Sequence, residues 1–150
     1  MQTWSEIGPV DVSALAAWLD AGNIEWPPVK GTQPNRIRLP DAARSAVDDV
    51  LAYYPGMTFN THQACISRIV PGAVHEMHSD GQADNWVTRV HVPIKTNESA
   101  WFMFEHDMQK VHFRAGVAYS FNTWAAHCYG NEGTEDRVHL MLDICRLQPH

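Results

Sequence analysis

Two histidines and one aspartate stand at spacings that suit a metal ion. In His78-Ser79-Asp80 the outer residues are two apart, so on an extended segment both side chains point the same way and can grip one cation. His127 follows 127 − 78 = 49 residues later, a reach that several strands can close. Two imidazoles and a carboxylate are the ligand set that leaves three adjacent positions open on a non-haem Fe(II). The His-x-Asp pair by itself is weak, because nine histidines bring a chance match close to expectation. His75 lies three residues before His78. In a regular strand that odd spacing sends it to the opposite face, so it reads as structural.

Two arginines sit on alternating segments. In Arg89-Val90-His91-Val92-Pro93-Ile94, Arg89 and His91 share one face while Val90, Val92 and Ile94 share the other. The polar face either lines a cavity, where it can hold a carboxylate, or is solvated; the pattern alone favours solvation. From Arg137 to Leu142 the split repeats: Arg137, His139 and Met141 against Val138, Leu140 and Leu142. An arginine turned inward needs a buried anion; one turned outward needs none.

The elements that must position these residues fall into two parts. Asp11 is placed to cap a helix running to Ala21, with Leu15, Trp18 and Leu19 on one face and Gly22 closing it. A second helix opens at Pro40-Asp41 and follows the i, i+3, i+4, i+7 rule to Tyr54, where Pro55-Gly56 ends it. From about Thr58 short alternating runs take over: Ala64 to Val70, Val87 to Ile94, Trp101 to Glu105, Lys110 to Arg114, Val117 to Phe121 and Arg137 to Ile144. Many short strands divided by turn residues predict an antiparallel sandwich or jelly roll. The expected organisation is one domain over 1–150, with a helical flank at 1–57 and a β core at 58–145. Trp101 and Trp124 read as core. Trp86, in the loop after Gly81, either lies over the mouth of a site or packs on the surface.

Composition excludes several classes. The chain has 150 residues, 45% of them apolar, which suits a globular fold. Eleven basic against seventeen acidic residues give a net charge of −6, a poor match to nucleic acid. Ala14 to Leu19 is the longest apolar run near the N-terminus, too short to span a membrane, so no membrane partner is expected. Cys65, Cys128 and Cys145 form no CxxC pair, and the expected compartment is a reducing cytoplasm.

Taken together, Pro71-Gly72, His78-x-Asp80, Arg89-x-His91-x-Pro93-Ile94, Gly116, His127, Asp136-Arg137-Val138-His139-Leu140 and Asp143 resemble the aspartyl/asparaginyl β-hydroxylase family. Within it, the Arg-Val-His-Val-Pro-Ile and Asp-Arg-Val-His-Leu segments look most like the bacterial L-proline cis-4-hydroxylases. The likeness spans roughly 65 to 145 and leaves the first 60 residues without a motif. It implies a mainly β double-stranded β-helix, a cupin-like jelly roll with a small helical N-terminal flank. It also implies a dioxygenase that uses Fe(2+), 2-oxoglutarate and O2 to hydroxylate an unactivated C–H of an amino acid or an aspartyl/asparaginyl/prolyl-type substrate, with free proline, another amino-acid-like substrate, a peptide or another small molecule all open. His78, Asp80 and His127 would be the iron ligands. Arg137, helped by Ser67, would hold the distal carboxylate of 2-oxoglutarate. Arg89 and His91 would sit at the other end, near the keto-acid carboxylate. The animal aspartyl hydroxylases have Gly in place of the carboxylate ligand, whereas Asp80 is kept here. The other six histidines (His62, His75, His106, His112, His139 and His150) read as structural or solvated, with His139 the exception to watch because it shares a face with Arg137.

Two rival classes stand beside this one. A metallo-cupin of other chemistry carries three or four His ligands with a Glu and needs no inward arginine. A binding module on the same fold would have lost a ligand, and none is lost here.

Overall fold

The computed structural model describes residues 3–148, so His150 lies outside the described residues. In chain order the strands are β1 (Trp4–Pro9), β2 (Asn35–Ile37), β3 (Met57–Phe59), β4 (Cys65–Ile69), β5 (Val74–His78), β6 (Trp86–Lys95), β7 (Ala100–Phe104), β8 (Lys110–Val111), β9 (Val117–Phe121), β10 (His127–Asn131) and β11 (Arg137–Arg146). Two helices, α1 (Ser13–Asp20) and α2 (Arg44–Ala52), precede the β core, the second led in by a 3-10 turn at Asp41–Ala43. The larger sheet runs β1-β9-β6-β11-β4-β2, with β3 also paired to β11; the smaller runs β5-β10-β7-β8. Every pairing is antiparallel. The two sheets form the expected double-stranded β-helix.

The larger sheet is buried on both faces. Its outer side carries Val90, Val92 and Ile94 of β6 and Val138, Leu140, Leu142 and Ile144 of β11, packed with Leu15 of α1 and Val47 and Val50 of α2. Its inner side meets aromatic residues gathered between the sheets: Phe102, Phe104, Phe113, Tyr119, Phe121 and Tyr129. Helices on one side and a second sheet on the other are the two ways a sheet hides both faces. The apolar face of β11 therefore belongs to the helices, and the face with Arg137, His139 and Met141 turns inward.

Several expectations are corrected. The 1–57 segment is not only a helical flank: β1 pairs with β9 at one edge of the larger sheet and β2 with β4 at the other. β2 is three residues long, too short for alternation to reveal. The first helix starts at Ser13. Asp11 accepts from the Ser13 amide at 3.0 Å and its hydroxyl at 2.7 Å, closing a turn ahead of the helix instead of capping it. α2 stops at Ala52, before the turn that Gly56 completes at φ +77°. The run from Lys110 shortens to two residues. Trp101 is core, but Trp124 is 56% exposed.

Candidate active site

The cross-strand register brings the candidate metal ligands together. β5 and β10 pair so that His78 lies opposite His127, with ring centroids 4.5 Å apart. The loop after β5 returns Asp80 to the same point, held by its amide donating to the Thr123 carbonyl at 2.9 Å. Asp80 Oδ2 then lies 3.7 Å from His78 Nε2 and 3.6 Å from His127 Nε2. The three ligand atoms lie within 4.8 Å of one another. Each ring is oriented from behind: His78 Nδ1 donates to the Glu76 carbonyl and His127 Nδ1 to the Ala125 carbonyl, both at 2.8 Å. A carbonyl can only accept, so each proton sits on Nδ1 and each Nε2 lone pair faces the centre. Burial pushes the His127 imidazole below its ordinary pKa and keeps it neutral, as a ligand must be. Two imidazole nitrogens, one carboxylate and room for further ligands fit Fe(II).

His75 is a correction. It does not turn away from His78; it lines the same cavity. The register slips between His127↔His78 and Tyr129↔His75, so three positions on β5 match two on β10. Such a bulge inserts one residue and undoes the odd-even rule. The His75 ring stacks on Tyr129 at 5.0 Å and meets His78 edge-on at 4.6 Å, with no partner for Nδ1.

Behind the triad lies a cavity of about 360 Å³. Ser67, His91, Phe102, Tyr129, Arg137 and Met141 line its inner end. Arg137 is only 2% exposed, yet its Nε and Nη1 have no hydrogen-bond partner. Its guanidinium lies over the rings of Phe102 at 5.3 Å and Tyr129 at 5.6 Å, and no carboxylate pairs with it among the described residues. Burial lowers its pKa to about 10, which leaves it charged at neutral pH. A buried, unpaired cation in a cavity is a socket for an anion. Ser67 stands on β4 opposite His139, on this inward face.

Arg89 is differently placed. Its Nε and Nη2 donate to the two carboxylate oxygens of Asp143, cross-strand on β11, at 2.8 and 2.9 Å. Its Nη1 reaches Asp80 Oδ2 at 3.3 Å. Arg89 is thus neutralised from within and braces Asp80, instead of presenting a free fork to a keto acid. Trp86 is not over the mouth: its indole nitrogen donates to Asp143 at 3.2 Å and steadies the same pair. His91 lines the cavity and shares one proton with His139 across 2.9 Å between their Nδ1 atoms. Burial, and then Arg137, hold both imidazoles neutral. Sequence reasoning assigned no role to Asp143 and missed Arg36, Glu76 and Tyr129, which the register alone brings to the site.

A family model described as aspartyl/asparaginyl beta-hydroxylase matches residues 33–147, well over half of the chain. The chain belongs to that family. Its class is that of the Fe(II)- and 2-oxoglutarate-dependent hydroxylases. The matched span begins just before β2, further upstream than the motifs reach. Among solved structures, this hydroxylase has the fold of a viral collagen prolyl hydroxylase from Paramecium bursaria Chlorella virus-1 in its 2OG complex (TM-score 0.69, 12% identity, 98% of this chain and 97% of that one). It matches a Pseudomonas putida prolyl-4-hydroxylase equally well (0.69, 16%, 99% and 95%). A Burkholderia pseudomallei oxidoreductase of the 2OG-Fe(II) oxygenase family follows (0.62, 12%, 90% and 79%). No curated protein matches the sequence.

Proposed function

We propose that this hydroxylase oxidises an unactivated C–H bond of a small amino-acid-like substrate. In this reading His78, Asp80 and His127 hold the iron, and Arg137, helped by Ser67, takes the distal carboxylate of 2-oxoglutarate. The observation that carries it is the orphaned guanidinium of Arg137 in the cavity that opens on the triad. The planar fork of an arginine matches a carboxylate with two hydrogen bonds. Bound iron with its keto acid supplies the oxidising chemistry; the chain supplies position and shelter. His78 and His127 each keep the Nδ1 proton donated to a backbone carbonyl, so both Nε2 atoms remain free to ligate. Arg89 donates to Asp80 Oδ2 and keeps the carboxylate aimed at the metal. Phe102, Phe121 and Tyr129 wall the cavity and keep water from the reacting C–H. The neutral His91–His139 pair separates the two arginines without adding a charge. Three buried free cysteines fit a reducing cytoplasm as its place of work.

The test has two readings. Anaerobic addition of 2-oxoglutarate to the Fe(II) protein is expected to raise a weak visible charge-transfer band, which His127→Ala abolishes. In air, with ascorbate, a panel of amino acids is expected to drive succinate release. A wild-type protein with neither band nor succinate overturns the proposal.

A further inference from the structure

β2 brings a third arginine to the cavity from the segment that carries no motif. Asn35 and Ile37 face the helical side. Asn35 Nδ2 donates to the Pro27 carbonyl at 2.5 Å, and its Oδ1 accepts from Arg68 Nε and Nη2 at 3.2 and 2.9 Å. Arg68 in turn lies over Trp26 at 4.6 Å, and Ile37 packs against the helix-side core. With its neighbours fixed outward, Arg36 turns inward, opposite Ser67 in the register, and lines the mouth of the cavity. It is exposed there, and no ion pair or side-chain hydrogen bond engages it among the described residues. Glu76 of β5 lines the same cavity, likewise with no ion pair.

A charge inventory assigns these two. Arg89 is matched by Asp143. Arg137 takes the distal carboxylate of the keto acid, whose other end goes to the metal. Arg36 is then the cation left over among the cavity-lining arginines, and Glu76 the unmatched anion. The cavity of about 360 Å³ is near the lower end of small-molecule sites, roughly 300–1,000 Å³, and must also admit the keto acid. What remains suits one small co-substrate with a charge of each sign.

We propose that Arg36 is the specificity residue of this site and receives the carboxylate of the co-substrate, with Glu76 facing its ammonium group. The co-substrate is therefore a free α-amino acid. A residue within a peptide offers neither an α-carboxylate nor an α-ammonium group, since both are spent in amide bonds. This inference rests on the iron and 2-oxoglutarate reading above.

The anaerobic Fe(II)–2-oxoglutarate protein separates the two. Each of the standard L-amino acids is titrated in, and binding is read by calorimetry and by the shift of the visible band. At least one free amino acid is expected to bind, with its carboxamide and its N-acetyl derivative each about tenfold weaker or more, roughly the loss of one partly desolvated charge contact. Arg36→Gln should weaken the free acid to the level of its carboxamide and erase the difference between them. Glu76→Gln should do the same for the free amine against its N-acetyl form. Arg36→Lys should restore part of the preference. In each variant the 2-oxoglutarate affinity should stay at the wild-type level. Three results overturn the assignment: no amino acid binds although the keto acid does; Arg36→Gln binds the free acid as tightly as wild type; or Arg36→Gln loses 2-oxoglutarate instead. Absence of the band in the wild type is a different failure, because it removes the iron and 2-oxoglutarate reading itself.

Discussion

Arg89 and Arg137 stand on adjacent strands of one sheet and face one cavity, yet they are opposite cases. Arg89 has its counter-ion in the chain, both carboxylate oxygens of Asp143, and a further contact to Asp80. Arg137 is more deeply buried and has none. A paired buried charge costs little to keep and much to break; an unpaired one is a standing cost that only a ligand relieves. The first arginine is part of the fold's own wiring, and the second has no counter-ion among the described residues.

The largest effect expected from this contrast is on stability. Asp143→Ala leaves the buried Arg89 with only its longer contact to Asp80, and breaking such a buried pair typically costs about 3–5 kcal/mol. Urea unfolding of the metal-free protein should show it as a lower midpoint. Arg137→Met removes no partner, so in the same experiment it should leave the stability unchanged or raised. Equal losses in the two variants would erase the distinction.

Ligand affinity should invert the order. Truncating one side of a desolvated charge pair costs about 2–5 kcal/mol, so Arg137→Met should weaken 2-oxoglutarate roughly 30-fold or more, at about 1.4 kcal/mol per tenfold. Titration of the Fe(II) protein measures this. Wild type should also gain about 2.7 kcal/mol of stability at 2-oxoglutarate concentrations near 100 times its Kd, and the Met variant about 0.9 kcal/mol or less at the same concentration. A Met variant that binds the keto acid normally would move the anion socket away from Arg137.

A smaller effect concerns the histidine pair between the two arginines. His91 and His139 are held neutral by burial, with pKa values well below the ordinary 6.5. Unfolding frees them to take protons, so below pH 6.5 the unfolded state binds more protons and stability falls as pH falls. Each contributes up to about 1.4 kcal/mol per pH unit there. His139→Phe should flatten the pH dependence of the urea midpoint between pH 6.5 and 5.5 by about one proton. An unchanged slope would mean that the pair is protonated in the folded state.

Much of this molecule was legible in its residues. The alternation from Val87 to Ile94 and from Arg137 to Ile144 marks the two central strands, because a buried sheet face demands apolar residues at every second place. The ligand trio could be proposed because His-x-Asp needs only an extended backbone to face one way. The strands that carry it were harder. β5 and β10 hold Val-His-Glu-Met-His and His-Cys-Tyr-Gly-Asn, where candidate ligands and turn-formers displace the apolar pattern. The better these segments serve a metal, the less they look like strands.

The sequence by itself determined the chemistry on offer: which residues could bind iron, which could bind a carboxylate, and that strands would carry them. Tertiary structure decided which arginine is free. Arg89 and Asp143 are 54 residues apart, and only the β6–β11 register sets them face to face. A bulge on β5 turned His75 into the cavity against the odd-even rule. A three-residue edge strand did the same for Arg36. The reason is physical: periodicity records which face of its own segment a side chain takes. Whether that face meets a counter-ion, a helix or an empty cavity depends on pairings between segments far apart in the chain.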